Sequence, residues 1–135
     1  MSEALMFEWA RCWTEKDGAA FSKLFGPGAV YEDMALPHRS EGNAAVDEFF
    51  TMTIAAFPDF NVQVHRAAGN EHTVAGEWTM TGTHMADAPG QPATGKPFKV
   101  NGSSVIQVRD GKIVHHRDYW DLVTMNRQLG LPVEA

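Results

Sequence analysis

The sequence lacks the residues that would build a disulfide framework or a nucleic-acid-binding surface. Cys12 is the one cysteine among 135 residues, which excludes an intramolecular disulfide and a multi-cysteine metal site. Because Cys12 lies beside Trp13 in an apolar stretch, we interpret it as a small buried hydrophobe and not as a nucleophile. The chain has no run of basic residues and a net charge of -6, so we expect no nucleic-acid partner.

Long hydrophobic runs are also missing. The apolar stretches are too short to cross a bilayer. The first residues, MSEALMFEW, contain no positively charged region followed by an apolar run. We therefore expect no signal peptide, no membrane partner and a cytoplasmic location.

The motifs of metal, nucleophile and phosphate chemistry do not occur. None of the six histidines belongs to an HxH, HxxxH or HExxH pattern. His115 and His116 would point to opposite faces of a strand, so they could not chelate an ion together. The sequence contains no nucleophile elbow and no phosphate-binding glycine loop. We predict neither a metal nor a cofactor.

The sequence does contain a clear division between helical and strand-like patterns. Apolar residues recur at helical spacing in the first part of the chain, and the period changes to two after Pro58. Asp110-Gly111 has the composition of a two-residue hairpin turn. Three of the predicted helices cover residues 3–16, 46–57 and 122–131. A further short helix follows Asp17, carries Phe21, Leu24 and Phe25, and ends at Gly26-Pro27-Gly28. The predicted strands cover residues 29–34, 60–65, 72–85, 98–109 and 112–121, with loops at 36–42 and 86–97.

These elements predict an α+β fold in one domain of residues 1–135. Helices come first and long antiparallel strands follow, which is not the alternating order of an α/β sheet. The N-terminal helices are available to pack against the apolar face of the sheet. A curved sheet wrapped on helices leaves a pocket at one end, and we expect a small hydrophobic organic ligand there.

One face of the predicted strand at residues 112–121 carries the residue types best suited to acid/base chemistry. Alternation places His116, Asp118 and Trp120 together. Burial on a partly apolar face raises the pKa of a carboxyl group, as a general acid or base requires, and a nearby imidazole can orient it. The alternative is a structural ion pair between Asp118 and an arginine such as Arg39 or Arg66.

The neighbouring strands supply the other walls of the expected pocket. Alternation turns Val114 inward and Ile113 outward in the last strand. Several inward positions in the other strands are glycine or serine, and small side chains leave room where a ligand must fit. The inward sets are Gly76, Trp78, Met80, Gly82 and His84 in one strand and Phe98, Val100, Gly102, Ser104 and Ile106 in the next.

Two further candidates precede the third predicted helix. Tyr31 and Asp33 share a strand face, so a buried Asp33 is a second candidate base. The alternative is an exposed acidic strand end. His38 and Arg39 lie in the predicted loop and could close over the pocket, and the alternative there is a solvated loop.

Three segments of the chain carry a resemblance to a known family. They are Tyr31-Glu32-Asp33, Ala56-Phe57-Pro58-Asp59, and Tyr119-Trp120-Asp121 followed by Arg127-Gln128-Leu129-Gly130. With the order of elements, they make the whole chain similar to the SnoaL-like polyketide cyclases, which share a superfamily with nuclear transport factor 2, ketosteroid isomerase and scytalone dehydratase. The resemblance implies a cone-shaped, curved antiparallel sheet around N-terminal helices and an internal pocket. It also implies a homodimer through the outer sheet face, which Val105 and Tyr119 would suit.

The resemblance also implies roles for individual residues. In these cyclases an aspartate of the last strand acts as general acid and base in an aldol ring closure, without cofactor or metal. Asp118 is the best match, and Asp121 is the second choice if the register slips by one residue. Asp33 matches the place of the ketosteroid isomerase base, and Trp9 and Ser104 match its oxyanion-hole positions. Because Ser104 stands where that isomerase has an acid, we do not expect steroid isomerisation.

Two functions remain open at this point. In the first, the protein is a cofactor-independent enzyme of the cyclase, isomerase or hydrolase kind. Asp118 or Asp33 removes a proton α to a carbonyl of an aromatic or polycyclic substrate, and His116, Trp9 or Ser104 stabilises the enolate. In the second, the chain is a non-catalytic binder or dimeric interaction module, and both aspartates have ordinary pKa values. The predicted catalytic residues are Asp118, Asp33 and His116. The predicted substrate-binding residues are Trp9, Trp13, Tyr31, His38, Phe50, Trp78, Met80, His84, Ser104 and Trp120.

Overall fold

The described part of the chain is an α+β structure with four helices and six strands. A computed structural model describes residues 2–88 and 90–133. Within these ranges, no helix is long and apolar enough to cross a membrane. The elements are α1 (Glu3–Glu15), α2 (Gly18–Lys23), β1 (Phe25–Asp33), β2 (His38–Glu41), α3 (Asn43–Ala56), β3 (Asn61–Gly69), β4 (Thr73–Thr83), β5 (Pro97–Arg109), β6 (Lys112–Trp120) and α4 (Leu122–Leu129).

The helices follow the apolar spacing of the sequence. α1 turns Trp9, Cys12 and Trp13 toward the core, and all three side chains are buried. Burial raises the pKa of the Cys12 thiol to about 11, so this thiol stays protonated at neutral pH. Asp17 begins α2 by accepting a hydrogen bond from the Ala20 backbone N–H at 3.0 Å, as an N-cap residue does.

The six strands form one sheet in the order β2-β1-β6-β5-β4-β3. α1 lies against β3 and β4, while α3 lies against β1 and β2. All strand pairs are antiparallel except β1 and β6, which run parallel. The parallel pair brings the first strand of the chain beside the last, and its register places Asp33 next to Asp118.

Two local predictions were wrong. β1 begins at Phe25, which we had placed in a helix, and continues through Gly26-Pro27-Gly28. The predicted loop at 36–42 contains β2, whose sequence, His-Arg-Ser-Glu, is polar at every position. β2 exists because its backbone pairs with β1, from Val30 opposite Glu41 to Asp33 opposite His38. A strand formed by such pairing has no hydrophobic alternation to reveal it.

A bulge in β6 changes which side chains face the core. The β5–β6 register shifts between Gln107 and Val108, so Ile113 and His115 oppose consecutive residues of β5 and Val114 is the additional residue. Ile113 is therefore buried and Val114 only half-buried, the reverse of the predicted faces. After the bulge, the predicted inward set of His116, Asp118 and Trp120 is confirmed.

The glycines of the inner sheet face do not leave space for a ligand. A Cβ atom on Gly102 would lie 2.5 Å from Cη2 of Trp78 and 2.8 Å from the Tyr119 carbonyl oxygen. Met6 fills the corresponding space at Gly76, and Phe98 fills it at Gly82. Our interpretation of these glycines was wrong, because they permit close packing of large side chains against the sheet.

Candidate active site

An aromatic cavity of about 60 Å³ lies between the helices and the inner face of the sheet. Its wall is mostly apolar, and two carboxyl groups, those of Asp33 and Asp118, interrupt it. The lining residues are Trp9, Trp13, Tyr31, Asp33, Leu36, Phe49, Met52, Thr53, Phe57, Phe60, Val62, Trp78, Met80, Ala88, Gln91, Phe98, Asp118, Trp120 and Met125.

Asp118 of β6 is the centre of a hydrogen-bond network. Its side chain is buried, with 6% of the residue exposed. The Tyr31 hydroxyl donates to Oδ2 at 2.6 Å, the Ser104 hydroxyl donates to Oδ1 at 2.5 Å, and His116 Nε2 lies 2.6 Å from Oδ1. A carboxylate that has lost its water requires such donors, because burial without them is costly.

A second layer of residues orders these donors. Trp9 Nε1 donates to the Tyr31 hydroxyl at 3.1 Å, and Trp78 Nε1 donates to the Ser104 hydroxyl at 2.8 Å. The His116 ring stacks on the Tyr31 ring with centroids 4.4 Å apart. Burial, together with the nearby Asp118, holds the pKa of Tyr31 well above its usual range. The phenol therefore keeps its proton and remains a donor.

Asp33 of β1 has a different environment. Trp120 Nε1 donates to its two carboxyl oxygens at 3.1 and 3.0 Å, and the backbone N–H groups of Ala35 and Leu36 donate to Oδ1 at 3.0 Å. Burial, and secondarily the nearby Asp118 carboxyl, raises the pKa of Asp33 to about 6. Asp33 can therefore gain or lose a proton near neutral pH.

The two alternatives that we had considered for these acids do not match the structure. Arg39 pairs with Glu32 and Glu41, and Arg66 pairs with Glu77, so neither arginine neutralises Asp118. Asp121, our second choice, is exposed and caps α4 by accepting from the Thr124 backbone N–H at 3.1 Å. Its side chain does not face the cavity, because the register from His116 to Trp120 follows the predicted alternation.

The structure brings most of the predicted site residues to the cavity, but not all of them. His116 and Ser104 lie behind the wall, where they contact Asp118. Phe50 belongs to the core, where its ring stacks on Trp13 at 4.6 Å. The predicted residues that line the cavity are Trp9, Trp13, Tyr31, Asp33, Trp78, Met80, Asp118 and Trp120.

The two other predicted histidines also lie outside the cavity wall. His38 is in β2, with its ring stacked on Phe49 at 5.0 Å, and it does not close over the pocket as a loop residue. His84 is fully buried after the end of β4 and stacks on Phe57 at 5.1 Å. Phe49 and Phe57, on which these histidines stack, line the cavity themselves, a relation that strand alternation alone could not predict.

Several lining residues were missed as site residues. Phe49 and Phe57 belong to the apolar stripe of the third predicted helix, so that stripe was an available signal. Gln91 lies in the predicted loop 86–97, yet it is buried and its Nε2 donates to Asn126 Oδ1 at 2.9 Å. Nothing in the sequence around Gln91 indicates this contact, because Asn126 is on α4.

The donors that we had predicted for an enolate are already engaged. Trp9 donates to Tyr31, and Ser104 and His116 both contact Asp118. These three residues therefore organise the carboxyl group of Asp118. In the described ranges, no three His, Cys, Asp or Glu side chains converge as metal ligands would.

Replacing Tyr31 by Phe should lower the free energy of unfolding by about 1–3 kcal/mol. The substitution removes a donor to Asp118 and leaves the buried Trp9 N–H without its acceptor. Urea unfolding followed by circular dichroism measures the change. Tyr119→Phe is the matched control, because Tyr119 is 43% exposed and its change should stay within about 0.5 kcal/mol. Equal stabilities of the two variants would contradict the structural role of the Tyr31 hydroxyl.

Comparisons with known proteins show the family to which the chain belongs. Residues 3–129 match the SnoaL-like polyketide cyclase family. The uncharacterised protein YesE of Bacillus subtilis (strain 168) is 29% identical over 129 residues, which cover 86% of this chain and 78% of YesE. The aklanonic acid methyl ester cyclase DnrD of Streptomyces peucetius is 37% identical over 67 residues, which span only 46% of either chain.

A solved structure has a similar fold. IdmH from Streptomyces antibioticus, to which a polyketide cyclase activity is ascribed, superposes with a TM-score of 0.80 at 26% identity. The superposition covers 97% of this chain and 99% of IdmH. The cone-shaped fold that the sequence resemblance implies is thereby confirmed. Because the family match spans nearly the whole chain, this protein belongs to the SnoaL-like polyketide cyclase family.

Proposed function

We propose that the protein is a cofactor-free acid/base enzyme of the cyclase type, with Asp118 as the base and Asp33 as the acid. One observation carries the proposal: two buried carboxyl groups line the same apolar cavity in different environments. Three polar side chains surround Asp118, whereas burial raises the pKa of Asp33 to about 6. In many enzymes two carboxyl groups take the acid and the base role because their different environments give them different pKa values.

The proposed reaction begins at a carbon α to a carbonyl group. The Asp118 carboxylate takes a proton from this carbon, and the C–H electron pair forms the enolate. In a ring closure the enolate carbon then forms a bond to a second carbonyl carbon of the same molecule. The oxygen of that second carbonyl gains the electron pair of its broken π bond, and Asp33 in its acid form donates the proton that this oxygen needs. Tyr31, Ser104 and His116 keep the Asp118 carboxyl group in one orientation.

The size of the cavity supports a compact substrate. Its volume of about 60 Å³ is well below the roughly 300–1,000 Å³ of pockets for drug-sized ligands. A small ketone fits this proposal more directly than a polycyclic molecule, which would need side chains such as Leu36 or Met125 to move. DnrD is named as a cyclase of aklanonic acid methyl ester, and a cyclase activity on a smaller carbonyl compound is the function that we propose.

Exchange of α-protons tests the proposal without knowledge of the natural substrate. Cyclopentanone in D₂O should lose its α-proton NMR signals faster with the protein than in the same buffer without it. The rival function, a non-catalytic binder of small hydrophobic molecules, requires binding without faster exchange. Binding of cyclopentanone at the buffer rate of exchange would therefore exclude Asp118 as the base for this class of ketone.

Two further expectations accompany the proposal. A homodimer through the outer sheet face is supported by Tyr119, which is 43% exposed on that face, and by its half-buried neighbour Val105. Light scattering of the protein and of Tyr119→Glu tests this assembly, and an unchanged mass in the variant would contradict it. The second expectation is a cytoplasmic location.

A further inference from the structure

One polar side chain of α3 belongs to the cavity wall. Phe49 and Thr53 of α3, and Phe57 at its C-terminal end, follow one another at intervals of four residues. Side chains at this interval lie on the same face of a helix, and all three line the cavity. Thr53 therefore contributes a hydroxyl-bearing side chain to a face that its neighbours make aromatic.

The hydroxyl group of Thr53 is free to bind a ligand. A threonine hydroxyl in a helix often donates to the carbonyl oxygen four residues earlier, and Thr51 does so to Asp47 at 3.1 Å. The Thr53 hydroxyl makes no such bond and has no other hydrogen-bond partner among the described residues. Thr53 is half-buried, and its oxygen is not one of the fully buried atoms that lack a partner. Because the side chain lines the cavity, a small molecule there can reach this oxygen.

The proposed reaction needs a donor of this kind. Removal of an α-proton leaves negative charge on the carbonyl oxygen, and a hydrogen-bond donor must stabilise that charge. The donors first considered for this role, Trp9, Ser104 and His116, are engaged within the protein. Asp118 and Thr53 border the cavity from the sheet and from the helices. The cavity has a volume of only about 60 Å³, so a ketone that fills it contacts both walls.

We infer that the Thr53 hydroxyl donates a hydrogen bond to the carbonyl oxygen of a ketone ligand and stabilises the enolate that Asp118 forms. The inference deepens the proposed function and rests on it for the role of Asp118. The α-proton moves to Asp118, the C–H electron pair becomes the π bond of the enolate, and the carbonyl oxygen takes the electron pair of the C=O π bond. Thr53 keeps its proton throughout. Its hydrogen bond strengthens as the oxygen becomes negative, so it favours the transition state over the bound ketone.

Three variants isolate the contribution of the hydroxyl group. Thr53→Val replaces it by a methyl group of similar size, whereas Thr53→Ser keeps it. At saturating cyclopentanone, the α-exchange rate should fall by a factor of about 10²–10³ in Thr53→Val, as for the loss of one oxyanion donor. Thr53→Ser should recover most of this loss. Thr51→Val is the matched control, because Thr51 is exposed and its hydroxyl is bonded to Asp47, and it should exchange at the wild-type rate.

Infrared spectroscopy detects the same hydrogen bond without turnover. Cyclopentanone labelled with ¹³C at the carbonyl carbon gives a stretching band that is separate from the protein amide bands. A hydrogen bond weakens the C=O bond, so this band should lie at a lower wavenumber in the wild type and in Thr53→Ser than in Thr53→Val. The affinity for the ketone should fall only about three- to tenfold in Thr53→Val, as for the loss of one neutral hydrogen bond. A larger loss in exchange than in binding distinguishes a catalytic donor from a residue that only shapes the cavity.

Several results would overturn the inference. They are equal carbonyl frequencies in the wild type and Thr53→Val, an unchanged exchange rate in Thr53→Val, no recovery in Thr53→Ser, and no binding of cyclopentanone up to its solubility limit. Failure of the proposed function has a different signature. A carbonyl frequency that depends on Thr53, with exchange no faster than in buffer, would refute Asp118 as the base and leave the Thr53 hydrogen bond established. Exchange that is lost in Asp118→Asn but unchanged in Thr53→Val would retain the base and refute the donor.

Discussion

Replacing Asp118 by Asn should reduce protein-catalysed α-proton exchange by a factor of about 10²–10⁴. The carboxamide has nearly the same shape as the carboxyl group, but it cannot accept a proton from carbon. The measurement is the initial rate of exchange of cyclopentanone in D₂O, corrected for the rate in buffer. Exchange that persists at the wild-type rate in Asp118→Asn would show that another group is the base.

Asp121→Asn is the matched control for this experiment. The same chemical change is made three residues away, but Asp121 is exposed and caps α4. Asparagine is as good an N-cap as aspartate, so both the exchange rate and the stability should remain close to those of the wild type. A loss of exchange in Asp121→Asn instead of Asp118→Asn would mean that the register of β6 differs from the one described.

The Asp118 variant also has a spectroscopic consequence. The Asp118 carboxyl is the second cause, after burial, of the raised pKa of Asp33. Removing its negative charge should therefore lower the pKa of Asp33 below about 6. A ¹³C NMR titration of the Asp33 carboxyl carbon measures this shift, and it requires no turnover. An unchanged titration of Asp33 would indicate that the two carboxyl groups do not interact.

Replacing Asp33 by Asn should stabilise the protein at pH 8 by about 3 kcal/mol and have little effect near pH 4. In the folded protein the pKa of Asp33 rises from its ordinary 3.8 to about 6, and this difference corresponds to about 3 kcal/mol. The folded state binds the proton more tightly than the unfolded state. Below pH 3.8 Asp33 is protonated in both the folded and the unfolded state, so it does not lower the free energy of unfolding. As the pH rises from 3.8 to about 6, the ionisation of Asp33 lowers the free energy of unfolding more and more, and the full loss is reached above pH 6.

The substitution removes the penalty because asparagine does not ionise. Its amide oxygen can still accept from Trp120 and from the backbone of Ala35 and Leu36, which now donate to the carboxyl oxygens. Urea unfolding at pH 4, 6 and 8 for both proteins gives the difference at each pH. A difference that is the same at all three values would rule out ionisation of Asp33 as its cause.

Asp121→Asn again provides the contrast. The hydrogen bonds from Thr124 lower the pKa of Asp121, so this carboxylate favours folding at neutral pH and loses that contribution in acid. Its replacement should therefore bring no gain in stability at pH 8. Only the replacement of Asp33 should stabilise the protein at pH 8, because only that carboxyl group is buried.

The sequence predicted the parts of this protein that depend on local periodicity. The helices follow the spacing of their apolar residues, and the β5–β6 hairpin follows from Asp110-Gly111. The inward direction of Asp118 follows from alternation along one strand. Each of these features is determined by residues that are close together along the chain, so a single sequence is sufficient to reveal them.

The features that the sequence did not reveal depend on partners far away along the chain. β2 is polar and forms because β1 is beside it. The bulge at Val114 is a property of the β5–β6 register, and composition does not encode it. Gly102 suggested an open space, but the Trp78 ring occupies it. In each case the outcome depends on packing between elements, which propensity and periodicity do not describe.

The parallel pairing of β1 with β6 determines when the site can be completed during folding. Tyr31 and Asp118 are 87 residues apart in the chain, so their contact closes a long loop at a large entropic cost. The β5–β6 hairpin, in contrast, can form from neighbouring residues. We therefore expect Ser104 and Asp118 to meet early and the Tyr31 and Asp33 side of the cavity to form late. A nascent chain would remain without a complete cavity until its last strand had joined its first.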